Sequence, residues 1–420
     1  MEVSDMSVNA CSRGHFSRRD LLRLAAAAST PSASAQSRHE SADGVHPFKV
    51  SVKQATINRI MSRIRDTRWP DRMEADDWRY GANWDYMKSL VRYWTTQFDW
   101  RQSEKNLNRY PQFLARVEDC DIHFYHVKGR GPKPLPLILT HGWPGSVFEF
   151  LETIGPLSDP ASYGGSPNDA FDVIVPSLPG YGFSSKPKKV IGAPTTAALW
   201  HKLLTGVLGY IKYGAQGGDL GSGVTSNLGL MYPSSVVGIH LNGARGSAPP
   251  ESHQSPEERE WQRASAAYTA TERDYFGEQQ HKPQTMSFAL ADNPLGTAAW
   301  IVEKMKSWSD SSDSKPVFTH DQILTNVMIY LVTDTVGSAF WFYRGNLDDR
   351  ATVQGKPMVP TAIASFPRDL PGLTAPRTVV ERNYNLVHYT KMPQGGHFAA
   401  LEQPQLLVQD LRAFFRTLRA

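Results

Sequence analysis

Cysteine is almost absent from this 420-residue chain, which carries only Cys11 and Cys120. Two cysteines cannot build a framework of several disulfides, so a fold that depends on such a framework is excluded. An excess of one charge is also missing, since 45 basic residues face 41 acidic ones and neither sign forms a long block. Nucleic-acid binding is therefore not indicated, because it calls for a basic stripe or patch. No apolar run reaches the roughly 18 to 20 residues of a membrane-spanning helix, so no integral membrane span is predicted.

Several familiar site motifs are missing as well. The thirteen histidines form no His-Glu-x-x-His pair, and no cysteines and histidines cluster at metal-ligand spacing. Neither a Gly-x-Gly-x-x-Gly loop nor a Walker A loop is present, so we predict no metal and no cofactor. The Gly-x-Ser-x-Gly elbow of serine hydrolases is also missing, the nearest sequence being Gly-Gly-Ser-Pro-Asn at 164–168.

The composition itself is that of an ordinary globular protein, with 40% apolar, 20% charged and 11% aromatic residues. At roughly 100 to 200 residues per domain, the chain should hold two or three units or one large domain with insertions. From about residue 120, short β-rich runs alternate with helical stretches. This alternation predicts an α/β fold with a mostly parallel sheet.

The first 35 residues resemble an export signal. The segment 17–23, Ser-Arg-Arg-Asp-Leu-Leu-Arg, is similar to the twin-arginine motif, and an Ala-rich stretch and the small residues 33–35 follow it. The alternative is a disordered basic N-terminus. Because the three features stand in the order that export requires, we predict a periplasmic or secreted bacterial protein. Cleavage after Ala35 would leave Cys120 as the one remaining cysteine.

Periodicity divides the remainder into an extension, a split core and an insertion. Five tryptophans fall within residues 69–100, which predicts an extension that packs on a core rather than a free domain. The predicted divisions are an extension at 36–119, the first half of an α/β core at 120–248, a helical lid at 249–345 and the second half of the core at 346–420.

Within these divisions the elements follow from apolar spacing. Helices are predicted at 52–65, 195–209, 296–308 and 320–333, with a helix from Ser255 towards Tyr275 and an amphipathic helix at the C-terminus. Strands are predicted at 123–127, 135–139, 171–175, 211–216, 236–241, 361–366 and 386–392.

The sequence Gly-Gly-Asp-Leu-Gly at 217–221 follows a predicted strand and leads into a helix. Small residues two positions before and after Asp219 permit the tight turn that exposes a nucleophile, here a carboxylate in place of a serine. The alternative is an aspartate that only caps the helix.

Two later residues complete a possible triad. His397 lies between glycines and a final helix, and Asp369 follows a predicted strand. The order nucleophile, acid, histidine is that of triads on the α/β-hydrolase scaffold. Glu402 is a rival acid, interpreted as structural because a position at a helix start would point it away from the imidazole. Asp348 and Asp349 are weaker rivals.

A carboxylate nucleophile suits attack on a saturated carbon, because the alkyl ester that forms can still be hydrolysed. His397 would then act as general base on a water that attacks the Asp219 ester, and Asp369 would orient the imidazole. The oxyanion forms on Asp219 itself and needs backbone donors, for which the N–H groups of Trp143 and Leu220 are the candidates.

Four motifs together resemble the epoxide hydrolases of the microsomal type. They are His-Gly-Trp-Pro-Gly-Ser at 141–146, Pro-Gly-Tyr-Gly-Phe-Ser at 179–184, Gly-Gly-Asp-Leu-Gly at 217–221 and Gly-Gly-His-Phe-Ala-Ala-Leu-Glu-Gln-Pro at 395–404. The Trp-rich extension is similar to the N-terminal meander of that branch, so the resemblance covers roughly residues 46–420. It implies an α/β-hydrolase core with a helical lid, a small epoxide and water as partners, and no cofactor.

The resemblance also implies two lid tyrosines that donate hydrogen bonds to the epoxide oxygen. Tyr275 and Tyr343 match best among the sixteen tyrosines of the chain. Trp143, Phe183 and the lid aromatics suggest an apolar pocket and hence lipophilic epoxides, with roles such as detoxification and aromatic hydrocarbon catabolism. The export signal departs from members of the endoplasmic reticulum, which carry a membrane anchor.

Two other functions remain open from the sequence. A dehalogenase would keep the scaffold and the aspartate nucleophile but would lack the tyrosine pair, and a non-catalytic binding protein would need no complete triad. The oligomeric state, the native epoxide and the enantioselectivity are not indicated by the sequence.

Overall fold

The computed structural model of the chain describes residues 44–74, 78–244, 246, 249–312, 315–349 and 355–419. The predicted export signal at 1–35 lies outside these ranges, as does the start of the extension.

A single mixed sheet runs through the described residues. Nine strands lie side by side in the order β1-β2-β3-β5-β4-β6-β7-β8-β9. The strands are β1 Val45–Phe48, β2 Gln112–Val117, β3 Cys120–Val127, β4 Leu135–Thr140, β5 Phe171–Pro176, β6 Tyr213–Gly218, β7 Val236–Asn242, β8 Pro360–Ser365 and β9 Asn385–Lys391.

The sheet has an antiparallel side and a parallel side. Strands β1, β2, β3 and β5 pair antiparallel, whereas β5, β4, β6, β7, β8 and β9 are all parallel to one another. Every residue of β5 is buried, which is typical of a parallel strand covered on both faces. The α/β-hydrolase fold expected from the sequence is thus confirmed, with its parallel strands at the predicted places to within a few residues.

The extension does more than pack on the core, because β1 and β2 belong to the sheet. The predicted boundary at residue 119 falls in the turn of the β2–β3 hairpin, where Glu118 has a φ of +55°. Strand β1 was not predicted, because a four-residue edge strand that contains Pro47 is too short to show an alternating pattern.

Three helices complete the extension: α1 Gln54–Arg65, α2 Trp84–Thr96 and α3 Trp100–Leu107. On one face of α2, Met87, Leu90 and Trp94 are buried. The extension also contacts the insertion, because the Ser103 hydroxyl lies 2.8 Å from that of Thr325. It therefore holds the core and the insertion together.

The helices of the core flank the sheet. They are α4 Leu151–Ser158, α5 Ala193–Lys202, α6 Leu220–Met231, α13 Arg377–Asn383, α14 Ala399–Glu402 and α15 Pro404–Arg416. Helix α5 continues as a π-helical turn at Leu203–Val207, which accounts for the longer helix predicted there.

The described residues between β7 and β8 form six α-helices, which make up the lid. They are α7 Pro256–Glu272, α8 Asp274–His281, α9 Pro283–Leu290, α10 Pro294–Ser307, α11 His320–Val332 and α12 Val336–Asp348. The helix predicted from Ser255 towards Tyr275 is in fact two, since α7 ends before Arg273 and Tyr275 lies in the first turn of α8. The capping box of Ser255 and Glu258 is present, and Glu258 also binds Arg382 of α13, which ties the lid to the core.

Across the described ranges, no single helix is long and apolar enough to cross a membrane, although α11 and α12, bent by 85° at their junction, reach that length and apolarity when taken together.

Candidate active site

The candidate site lies where the parallel strands end. Trp143 follows β4, Asp219 follows β6, Asp369 follows β8 and His397 follows β9. Because the carboxyl ends of parallel strands meet at one edge of the sheet, residues far apart in the sequence converge there.

Asp219 sits on a sharp turn between β6 and α6, with φ +50° and ψ −122°. Few non-glycine residues adopt a positive φ, and such a conformation costs on the order of 1–3 kcal/mol. The flanking glycines are required by close approach: a Cβ on Gly217 would lie 2.2 Å from the carbonyl oxygen of Gly221, and one on Gly221 would lie 2.0 Å from that of Thr140. The turn therefore has the geometry predicted for an elbow, with the carboxyl of Asp219 projecting from it.

The two oxygens of the Asp219 carboxylate have different neighbours. The backbone N–H of Trp143 donates to Oδ1 at 2.9 Å, while Oδ2 lies 3.4 Å from Nε2 of His397. Burial raises the pKa of Asp219, but His397 and the N–H groups of Trp143 and Leu220 outweigh it, so the net pKa lies below its ordinary value. The carboxyl is thus held as the anion that a nucleophile needs.

His397 is buried between two carboxylates. Its Nδ1 lies 2.7 Å from Oδ1 of Asp369, and its backbone N–H donates to the carbonyl of Trp308 at 2.9 Å. Burial disfavours the imidazolium, but the charges of Asp369 and Asp219 outweigh it and raise the pKa of His397 to about 10. The imidazole is therefore protonated at neutral pH as long as both carboxylates are charged.

The rival acids do not touch the imidazole. The structure corrects the position expected for Glu402, which ends the short helix α14 rather than starting a helix. Its carboxyl accepts the backbone N–H groups of Asp310, Gly396 and Phe398 at 2.8 to 2.9 Å, so it braces the loop on both sides of His397. Asp348 pairs with Arg344 at 2.7 Å, and Asp349 accepts N–H groups at the start of α5.

The two lid tyrosines lie beside the ring of Trp143. The ring of Tyr275 stacks on it with centroids 5.5 Å apart, and the ring of Tyr343 meets it edge-on at 6.1 Å. The two phenol rings are 6.4 Å apart at 82°. Burial, with a contribution from Tyr275 and Asp219, raises the pKa of Tyr343 well above its ordinary value, so this phenol is a neutral hydrogen-bond donor.

Some residues of the site gave no signal in the sequence. Trp308, just after α10, contacts the rings of Tyr275 and His397 at 5.2 and 5.0 Å. Conversely, Phe183 was expected in the pocket and this was wrong, because its ring packs on Phe48 and His123 instead. Phe48 reaches Phe183 because β1, which ends at Phe48, joins the sheet.

A narrow cavity adjoins the carboxyl of Asp219. Besides Asp219 and His397 it is lined by Trp143, Glu149 and Asn242, with backbone from the turn after β4. Neither Glu149 nor Asn242 stands in a motif that the sequence singled out. Within the described part of the chain, no group of three or more His, Cys, Asp or Glu side chains is arranged to hold a metal ion.

Two protein-family models match this chain, and a curated relative resembles it over most of its length. The family model described as "Epoxide hydrolase N terminus" matches residues 45–150, and the model described as "alpha/beta hydrolase fold" matches residues 136–316. Epoxide hydrolase 1 of Oryctolagus cuniculus is 36% identical over 411 residues, which cover 89% of this chain and 89% of that protein.

Two solved structures of epoxide hydrolases are similar to this chain over most of its length. The epoxide hydrolase of Aspergillus niger superposes with a TM-score of 0.80 at 31% identity, over 89% of this chain and 96% of that one. The juvenile hormone epoxide hydrolase of the silkworm Bombyx mori has a TM-score of 0.79 at 26% identity, over 91% and 96% of the two chains.

The contacts of Asp369 and Glu402 predict different effects on His397. In Asp369→Asn the negative charge is lost while the shape is kept, so the pKa of His397 should fall from about 10 by more than about 1 pH unit. In Glu402→Gln the pKa of His397 should fall less, because Glu402 bonds to backbone N–H groups and acts on the imidazole only through space. An NMR titration of the protein labelled in histidine, with His397→Gln to assign the resonance, measures both. Equal shifts in the two variants would contradict Asp369 as the main partner of the imidazole.

Proposed function

The chain belongs to the epoxide hydrolase family, and from that premise we propose that it converts lipophilic epoxides to vicinal diols through a covalent ester on Asp219. This proposal rests on one observation, namely that the two oxygens of that carboxylate have different partners. Oδ1 accepts the Trp143 N–H at 2.9 Å, while Oδ2 faces the histidine.

In the first step, Oδ2 of Asp219 attacks a carbon of the epoxide. A bond forms between Oδ2 and that carbon, and the bond from the same carbon to the epoxide oxygen breaks. Tyr275 and Tyr343 donate hydrogen bonds to that oxygen as its negative charge develops. The alkoxide then takes up, by way of a phenol, the proton that the imidazolium of His397 gives up once the ester has removed the charge of Asp219. Their proximity to Trp143, the residue whose N–H holds Oδ1, supports this role.

In the second step, a water attacks Cγ of the ester and gives a proton to Nε2 of His397. The negative charge that forms on Oδ1 is stabilised by the N–H groups of Trp143 and Leu220, an interaction worth about 2.7–4 kcal/mol per donor in comparable sites. The Cγ–Oδ2 bond then breaks, and the diol leaves with Oδ2 and a proton. The oxygen of the water stays on Asp219.

The electrostatics of His397 fit this order of events. Before reaction, the charges of two carboxylates hold its pKa at about 10, so the imidazolium is a poor base. Ester formation removes the charge of Asp219. Asp369 is then the carboxylate beside the imidazole that opposes the effect of burial, so the pKa of His397 falls. The imidazole can therefore become a base once the ester exists.

The surroundings of the tyrosines favour an apolar substrate. The rings of Trp143, Trp308 and Phe276 contact those of the two tyrosines. Phe340 lies behind them on Trp143, and Trp143, Trp308 and Phe340 are almost fully buried. Lipophilic epoxides, including those derived from aromatic hydrocarbons, fit this lining better than charged ones. Detoxification or catabolism of such compounds is the role that we infer.

The segment that resembles a twin-arginine signal supports a periplasmic or secreted location. Its two arginines, its Ala-rich stretch and its small residues at 33–35 stand in the order that such a signal requires. A periplasmic enzyme would meet epoxides before they enter the cytoplasm.

The tyrosine pair separates epoxide opening from dehalogenation. In the double variant Tyr275→Phe and Tyr343→Phe, kcat/KM for styrene oxide should fall about 100-fold or more, because no donor remains for the developing alkoxide. Each single variant should lose about 10-fold or more. Initial rates of diol formation measure this.

The matched control is Tyr213→Phe, a buried tyrosine at the far end of β6. Its rates should stay close to those of the unchanged protein. Undiminished diol formation in the double variant would refute the role of the tyrosines, and release of halide from haloalkanes by that variant at full rate would favour the dehalogenase.

The location is tested in a bacterium that has the twin-arginine pathway. The unchanged chain should be recovered from the periplasm or medium shortened by about 35 residues, which is the position of the small-residue site. The variant Arg18→Lys, Arg19→Lys should stay full-length in the cytoplasm. Cytoplasmic recovery of both proteins at full length would contradict export.

A further inference from the structure

We propose that Glu149 and Asn242 hold the water that hydrolyses the ester, in the cavity beside the Asp219 carboxyl, and that they are positioning residues for this second step. The inference rests on the proposed ester mechanism and adds to it the two groups that supply and orient the water.

The cavity is the first reason. Glu149, Asn242, Asp219 and His397 all line the same small space. The attacking water must reach both Nε2 of His397 and Cγ of Asp219. It should therefore bind in a polar space that touches both side chains.

The second reason is the position of Glu149. It lies in a single 3₁₀ turn at Val147–Phe150, and its side chain folds back over the turn that follows β4. A Cβ on Gly145 would lie only 1.3 Å from Oε1 of Glu149, so the carboxyl occupies the space that a side chain at position 145 would fill. The carboxyl is therefore directed to the loop that also carries the Trp143 N–H.

Two lid contacts fix that loop. Asn326 donates to the carbonyl of Pro144 at 2.6 Å, and the Tyr330 hydroxyl donates to the carbonyl of Gly145 at 2.6 Å. Both residues lie on α11 and are buried. The carboxyl of Glu149 accepts the backbone N–H of Ser146 in this fixed loop. The loop thus gives the carboxyl a defined position, which is what the orientation of one water requires.

The third reason is Asn242, at the end of β7. The side chain is buried, and its Oδ1 is a fully buried acceptor without a hydrogen-bond partner among the described residues. Buried polar atoms are rarely left unpaired, and an ordered water is the usual partner where the space is polar. The amide lies beside Gly218, directly before the nucleophile.

The charge state of Glu149 suits the same role. Burial, together with the charge of Asp219, raises its pKa to about 8 against the opposing effect of His397, so it is mostly protonated at neutral pH. A neutral carboxyl both donates and accepts hydrogen bonds. With His397 and Asn242 it offers the water three partners, the number that a buried water typically has.

The test separates the two steps of the reaction. Excess enzyme is mixed with styrene oxide, quenched at intervals and examined as intact protein by mass spectrometry, so that formation and decay of the ester are followed separately. In Glu149→Met the side chain keeps its length but offers the water no donor and only a weak acceptor. Decay of the ester should therefore slow about 10-fold or more, the scale of one lost hydrogen bond to a reacting group, while its formation changes less than about two-fold. At steady state kcat should fall, and KM should fall with it.

Asn242→Ala should give the same pattern, and it tests the water site independently if Glu149→Met does not fold. The matched control is Glu152→Met, three residues along the chain, where the carboxylate pairs with Arg109 at the surface. That variant should form and hydrolyse the ester at unchanged rates.

The outcomes distinguish this inference from the function on which it rests. If the unchanged protein forms no adduct on Asp219, the ester mechanism itself fails. If it does, and the ester decays in Glu149→Met and Asn242→Ala as fast as in the unchanged protein, the water site is refuted. Parallel loss of ester formation and decay would also refute it, because that pattern indicates general damage to the site.

Discussion

The structure depends on holding one carboxylate in a strained turn with its two oxygens in different surroundings. Asp219 adopts a positive φ, in a turn so tight that a side chain at position 217 or 221 would clash with neighbouring backbone. Its Oδ1 meets a backbone N–H from the turn after β4, and its Oδ2 faces an imidazole from the loop after β9. A sheet whose parallel strands all end at this edge is the frame that brings these groups together.

The lid and the extension stabilise the loop that binds the carboxylate of Asp219. Helix α11 binds two carbonyls of the loop that carries the Trp143 N–H, through Asn326 and Tyr330. The extension in turn contacts α11 through Ser103 and contributes two strands to the sheet. The donor to the nucleophile is thus fixed by contacts from three parts of the chain, which explains why an extension far from the chemistry belongs to the fold.

Local motifs account for what could be predicted from the sequence. The glycine pattern around Asp219, the order of Asp369 and His397 and the strand runs all depend on near neighbours in the chain, and the structure brings these residues together. The position of Tyr275 depended on a helix break at Arg273 that the capping signals did not indicate. Glu149 and Asn242 could not be found, because their proximity to the nucleophile follows from packing between distant segments. The burial of Phe183 against β1 was missed for the same reason.

The central claim is that an oxygen of Asp219 passes into the product, and a single turnover in water enriched in ¹⁸O tests it most directly. With enzyme in excess over a racemic epoxide, the account predicts that the first diol carries no label and that the peptide containing Asp219 gains one ¹⁸O atom. Label in the first diol, with an unlabelled Asp219 peptide, would mean that water attacks the epoxide directly and would contradict the account.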